Sequence, residues 1–188
     1  MTKLHLGCGK RILDGWVHID TSDYDHIDFN QSISDLSMFS DSTVEEIYCS
    51  HALEYFDRDQ AFDVLTEWGR VLTASGTLYI AVPDFVSLTQ IYFETNAMKN
   101  IIGPLFGRMN SGIDNKLIYH KTVYDEESLR SLMQDCGFIN IEKYDPIEFL
   151  NQIDGQFDDH SLAFFPHMDR TGIQVSLCMK AQRGRFVY

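Results

Sequence analysis

The sequence predicts an α/β fold built on an open, mostly parallel sheet wound on both sides, and three observations carry that expectation. Short β-rich runs alternate along the chain with segments of helical period, the order that a parallel sheet with crossover helices requires. The first strand breaks at once into Gly7-Cys8-Gly9 and the second stops at Asp20, the loop and the carboxylate of a nucleotide-type crevice. The 188 residues, 44% hydrophobic and 23% charged, suit one domain, 1–188, with a full core and little room for a second.

Leu4, His5 and Leu6 alternate as a short strand. Two glycines spaced by one residue directly after it let the backbone turn tightly with its N–H groups open to a ligand. Only residues 10–15 separate this loop from the next strand at residues 16–19, so the usual crossover helix is missing or reduced to one turn. Asp23, Asp25 and Asp28 around Tyr24, Ile27 and Phe29 suggest a polar connection with a short third strand. Asp35-Leu36 follows in a loop rich in Ser and Asp. Residues 44–49, VEEIYC, read as a strand that delivers Ser50 and His51 to its carboxyl end, where ligands of an open parallel sheet bind.

From Asp57 onward Ala61, Val64, Leu65, Trp68, Val71 and Leu72 recur at the spacing of one buried helical face. Asp57 and Gln60 resemble a capping box, Gly76 is the expected stop, and Asp63 and Glu67 fall on the solvated face. Residues 77–82 are β-rich and uncharged, a buried central strand that Pro83 ends. Residues 85–102 are helical by period and residues 103–121 are irregular. Together 85–121 form an insertion beside the carboxyl ends of the strands, where irregular segments are more often functional than decorative. Asp125 caps a further helix with Leu129, Leu132, Met133 and Cys136 on its buried face and Gly137 at its end. Strands at residues 138–144 and 173–180 complete the pattern, and Trp16 and Trp68 are expected in the core.

The chemistry starts from Asp20, since a carboxylate at the tip of the second strand can accept hydrogen bonds from both hydroxyls of an adenosine ribose. A dinucleotide fingerprint would place glycine where Ile12 stands, and the Gly-x-x-x-x-Gly-Lys-Ser/Thr loop is absent. Glycines in a ligand-free surface turn would read the same. His51 either works at the site or caps a strand end. His120, as a neutral imidazole ending the insertion, could take a proton from an acceptor, and a loop histidine in water would look no different. Tyr119 and Tyr124 read as packing residues. Asp158, Asp159, His160, His167 and Asp169 are too irregularly spaced for a dedicated site, and no metal is expected.

The net charge of −13 opposes non-specific binding to nucleic acid or to an anionic membrane, and neither partner is expected. No apolar run approaches the roughly 18 residues of a membrane span. Met1 leads directly into a strand without a charged-then-apolar leader, as expected of a cytoplasmic protein. Cys8, Cys49, Cys136 and Cys178 lie far apart and read as free thiols of a reducing compartment.

In chain order, LHLGCG, HID ending at Asp20, Asp35-Leu36, VEEIYCSHALEYF, a helix ending WGRVLTASG, the strand TLYIAVPDF and the helix DEESLRSLMQDCGF make up a pattern. It resembles a small class I S-adenosylmethionine-dependent methyltransferase, of a compact subgroup with a shortened first helix. The resemblance implies a Rossmann-like sheet of about seven strands, the last antiparallel and inserted between the fifth and sixth. It implies S-adenosyl-L-methionine as cofactor, with His5, Gly7, Cys8 and Gly9 toward its methionine part, Asp20 at the ribose, Asp35 and Leu36 at the adenine, and His51 near the methyl donor. His5 stands where most such proteins carry an acid, and Arg11 where many carry a third glycine. His51 and His120 are the catalytic candidates. A sulfonium already carries the electrophile, so alignment of donor and acceptor is the main task, and neither a metal nor a covalent nucleophile is obligatory.

The expected acceptor is a small molecule or glycan-type compound. Between residues 95 and 121, Lys99, Arg108, Lys116 and Lys121 face Asp114 alone, which predicts a phosphate or carboxylate on that acceptor. Cations that merely pair with the acidic remainder of the surface would leave the same balance. The rival reading is a catalytically inactive, methyltransferase-like protein that binds the cofactor, or nothing, and serves as a scaffold. A nicotinamide oxidoreductase is disfavoured by Ile12, and the sequence leaves the oligomeric state open.

Overall fold

The computed structural model describes residues 2–110, 116–153, 160–166 and 171–184. Seven strands form the main sheet: β1 (Thr2–Leu6), β2 (Val17–Asp20), β3 (Phe29–Asn30), β4 (Val44–Ser50), β5 (Leu72–Pro83), β6 (Phe138–Lys143) and β7 (Ser176–Arg183). The helices are α1 (Arg58–Val71), α2 (Phe85–Thr95), α3 (Ile102–Phe106), α4 (Glu126–Asp135) and α5 (Pro146–Leu150). Across the sheet the order is β3-β2-β1-β4-β5-β7-β6. Pairing is parallel from β3 to β5, and β7 runs antiparallel to both of its neighbours. This is the mostly parallel Rossmann-like sheet that the sequence predicts, with its reversed last strand. Among the described residues no helix is long and apolar enough to cross a membrane.

The period of two along each strand divides the core. Leu4 and Leu6 of β1, Ile47 and Cys49 of β4, Leu78, Ile80 and Val82 of β5 and Leu177 and Met179 of β7 join the buried faces of α1 and α4 in one cluster. Helix α1 begins with a full capping box between Asp57 and Gln60, and α4 with another between Asp125 and Ser128. The opposite face of the sheet has no helix between β1 and β2, because residues 7–16 hold only turns and a bridge. Aromatic packing covers it instead. Leu13, Trp16, Tyr48, Phe149 and Leu150 form the second cluster, and Phe149 of α5 stacks on Tyr79 at 4.2 Å between ring centroids.

Three boundaries differ from the sequence expectation. Leu72 leaves the helix with extended backbone and pairs with Val44, so β5 follows α1 without a loop, and Gly76 lies inside the strand near a register shift rather than at a helix stop. The helix expected over 85–102 stops at Thr95, because Asn96 takes a left-handed conformation with φ of 48° and caps it. The expected last strand is two: Ile173–Gln174 pairs with Phe164–Phe165 in a small ribbon, and β7 starts afresh at Ser176. The four cysteines are free and buried, Trp16 and Trp68 lie in the core, and Tyr124 is buried whereas Tyr119 is exposed.

Candidate functional site

A cavity of about 530 Å³ opens beyond the carboxyl ends of β1, β2, β3 and β4. Gly7, Gly9 and Arg11 line it from the glycine loop, Asp20 from the tip of β2, Ser32 and Ile33 from the loop after β3, and His51 and Ala52 from the end of β4. The segment after α2 closes the far side with Gly103, Gly107, Arg108 and His120.

The glycine loop is held by the strand beside it. Gly7 N donates to Ile19 O at 2.8 Å, and a Cβ at Gly7 would come within 2.6 Å of the Ala52 Cβ, so the loop rests directly on the chain leaving β4. Asp20, only 6% exposed, accepts from Gly9 N at 2.8 Å through Oδ2 and from Ser22 N at 2.7 Å through Oδ1. Each oxygen keeps a second acceptor position for a ligand hydroxyl. Burial, first, and then the Asp20 charge push the Cys8 thiol up to about 12, so it stays neutral.

The loop after β3 is tied down from α1. Trp68 Nε1 donates to Ile33 O at 2.8 Å, and Arg70 reaches Leu36 O at 3.1 Å and Phe39 O at 3.0 Å. Glu67 accepts from Leu36 N at 3.1 Å and from Arg70, whose hydrogen bonding holds its carboxyl below the usual range. Glu67 therefore anchors a wall of the cavity rather than standing on a solvated face.

At the other end, His51 takes a left-handed backbone with φ of 55°, an uncommon conformation for a residue with a side chain and one that concentrates at functional sites. Its Nε2 lies 2.7 Å from Ser176 Oγ, and its Nδ1 lies 3.3 Å from Glu54 Oε1. His120 places Nδ1 3.0 Å from Pro104 O and Nε2 3.7 Å from the same Glu54 oxygen. Burial holds His120 below the ordinary histidine range, against the raising effect of Glu54. The returning end of the insertion is strapped to this turn, since Lys121 N donates to Glu54 O at 2.8 Å and Thr122 Oγ1 to Phe56 O at 2.9 Å.

Of the candidates read from sequence, Gly7, Gly9, Asp20, His51 and His120 meet around the cavity. His5, Cys8, Asp35 and Leu36 are not among its lining residues. His5 is 1% exposed on the aromatic side of the sheet, against Tyr48 and His18, because strand alternation turns it away from Leu4 and Leu6. Leu36 is buried in the α1 core, and Asp35 is exposed with its carboxylate on Ser37 N. Ser32 and Ile33 stand in the wall instead. They belong to the same Ser-rich loop, three positions before Asp35 and Leu36. Arg11, Glu54 and His160 were also missed as site residues. His160 lines the cavity, with its ring 5.4 Å from that of His51, whereas Asp158, Asp159, His167 and Asp169 lie outside the described residues. Among the described residues no cluster is arranged to hold a metal ion.

No protein-family model matches the chain, and no curated protein does. Solved structures do resemble it. A SAM-dependent methyltransferase from Methanosarcina mazei superposes with a TM-score of 0.55 at 16% identity, over 98% of this chain and 93% of that one. A SAM-dependent methyltransferase from Archaeoglobus fulgidus gives 0.54 at 14% identity, over 97% and 86%. The 1,6-didemethyltoxoflavin-N1-methyltransferase of Burkholderia thailandensis, solved with 1,6-didemethyltoxoflavin and S-adenosylhomocysteine, gives 0.55 at 11% identity, over 98% and 71%. At these identities the shared property is the fold, that of class I methyltransferases.

Proposed function

We propose that the chain is an S-adenosylmethionine-dependent methyltransferase acting on a small-molecule or glycan-type acceptor that carries an anionic group. The observation that carries the reading is a single cavity that joins the glycine loop and Asp20 at one end to two histidines at the other. The residues present suit the cofactor. Asp20 retains acceptor capacity for ribose hydroxyls, Ile33 and Phe56 offer apolar wall to an adenine, and a side chain at Gly7 would collide with Ala52 and displace the loop. The bound sulfonium would supply the methyl electrophile. The chain itself would hold the acceptor in line, exclude water and manage the acceptor's proton.

Two cations support an anionic acceptor, Arg108 and Arg11, both in the cavity wall. Lys121 points elsewhere, with Nζ 3.0 Å from Gln60 Oε1 on α1. One observation favours the second reading, a cofactor-binding protein without turnover: both ring nitrogens of His51 and of His120 already face protein atoms. Calorimetry with S-adenosylhomocysteine tests the first step. Asp20→Ala should weaken binding at least about tenfold, the equivalent of about 1.4 kcal/mol for a charged hydrogen-bond pair. Equal affinity in both proteins would remove Asp20 from the site, and absent binding would remove the cofactor. Binding without methyl release across an acceptor panel would favour the second reading.

A further inference from the structure

Glu54 has no solvent exposure, and neither of its carboxylate oxygens has a hydrogen-bond partner. Among the described residues no lysine or arginine comes within ion-pair distance of it; the titratable rings beside it are those of the two cavity histidines. A carboxylate in that position is stable only if it is neutralised, because desolvating an unpaired charge is far more expensive than retaining a proton nearby.

The hydrogen bonds around the cluster say where that proton can be. Ser176 Oγ donates to His160 O at 2.8 Å, so its hydrogen is used and it must accept from His51 Nε2–H. Pro104 O can only accept, which places the other hydrogen on His120 Nδ1. Both outer nitrogens are therefore donors. The two inner nitrogens, His51 Nδ1 and His120 Nε2, then converge as lone pairs on one Glu54 oxygen unless a further proton sits among them. The remaining groups facing the cluster do not provide it. Tyr55 is pushed up to about 12 by burial and then by the Glu54 charge, Tyr124 is raised by the same two causes, and His160 meets His51 edge to face.

We propose that Glu54 is the positioning residue of the acceptor end of the cavity, holding His51 and His120 on one carboxylate and keeping a single proton shared across the three groups. The use of this arrangement rests on the methyl-transfer reading: the pair would enter the reaction with one imidazolium and one neutral ring, so only one of the two can take an acceptor's proton. The shorter contact assigns the shared proton to His51 Nδ1 and leaves His120, which burial keeps neutral, as the ring able to accept.

The test is nitrogen-15 NMR of the imidazole rings in the full-length protein at about pH 8, where an ordinary histidine has lost its charge. In wild type, one of the two inner nitrogens should remain protonated there, and in Glu54→Gln that proton should be gone. The proposal is overturned if both inner nitrogens of wild type are bare at about pH 8, a result that does not depend on the variant folding. It is equally overturned if Glu54→Gln leaves the ring signals unchanged. Calorimetry with S-adenosylhomocysteine on the same samples separates the two ideas: loss of binding in wild type rejects the cofactor, whereas the ring signals report on Glu54 alone.

Discussion

Gly7→Ala isolates how the candidate site is supported. Gly7 has φ of 64°, and a Cβ built there lies 2.6 Å from the Ala52 Cβ, which is neither flexible nor at the end of a long side chain. Two terms add. An alanine in left-handed backbone costs about 1–2 kcal/mol, and overpacking against fixed neighbours costs about 1–3 kcal/mol more. Gly15→Ala is the control, because φ there is 81° but nothing lies within 4 Å, so only the first term applies. For a chain of this size each kcal/mol lowers Tm by about 2–4 °C. Gly7→Ala should therefore melt roughly 4–20 °C below wild type and Gly15→Ala only about 2–8 °C below. Far-UV circular dichroism on the purified proteins measures this, and calorimetry with S-adenosylhomocysteine should show the larger loss in Gly7→Ala. If the two variants melt together, the contact between the glycine loop and the chain leaving β4 does not limit the site, and the argument fails.

Phe149→Ala should cost about 3–4 kcal/mol in a urea titration, since Phe149 meets Trp16, Tyr48, Tyr79 and Tyr144 on the face that lacks a crossover helix between β1 and β2; a cost under about 1 kcal/mol would show that this face is covered some other way. His18 is held below the ordinary histidine range by burial and then by His26, and it accepts from Leu13 N at 3.0 Å as a neutral ring. The unfolded chain takes that proton first as pH falls through about 6.5, so the stability depending on His18 is complete above that value and declines toward the lower folded one. Urea midpoints between about pH 7.5 and about pH 6 should drop more in wild type than in His18→Gln, and parallel slopes would refute the linkage. With an anionic acceptor, Arg108→Ala should lower kcat/KM at least about fivefold and Lys121→Ala less than about twofold, because only Arg108 stands in the cavity wall. A neutral acceptor turned over best, with both variants near wild type, would reject the anionic group.

The alternation of strands and helices, the Gly7-Cys8-Gly9 turn, Asp20 at a strand tip and His51 after β4 were all legible in the chain itself. Each is set by local chemistry: side-chain period, the backbone freedom of glycine, a capping box at Asp57. Boundaries were legible only where a local signal was strong. Asn96 ended a helix that periodicity would have continued, and Leu72 served the same core from a strand as it would have from a helix. The sequence by itself determined the sheet's class and the end of it at which a ligand can lie, because both follow from element order and strand termini. Tertiary structure decided which polar residues meet there. His5 turned to the aromatic face, Ile33 and not Leu36 came to line the cavity, and Glu54 came to lie between two histidines, one of them 66 positions further along the chain. No local pattern encodes such meetings, since they depend on how strand register and the fold of the insertion bring distant segments to the same few ångströms.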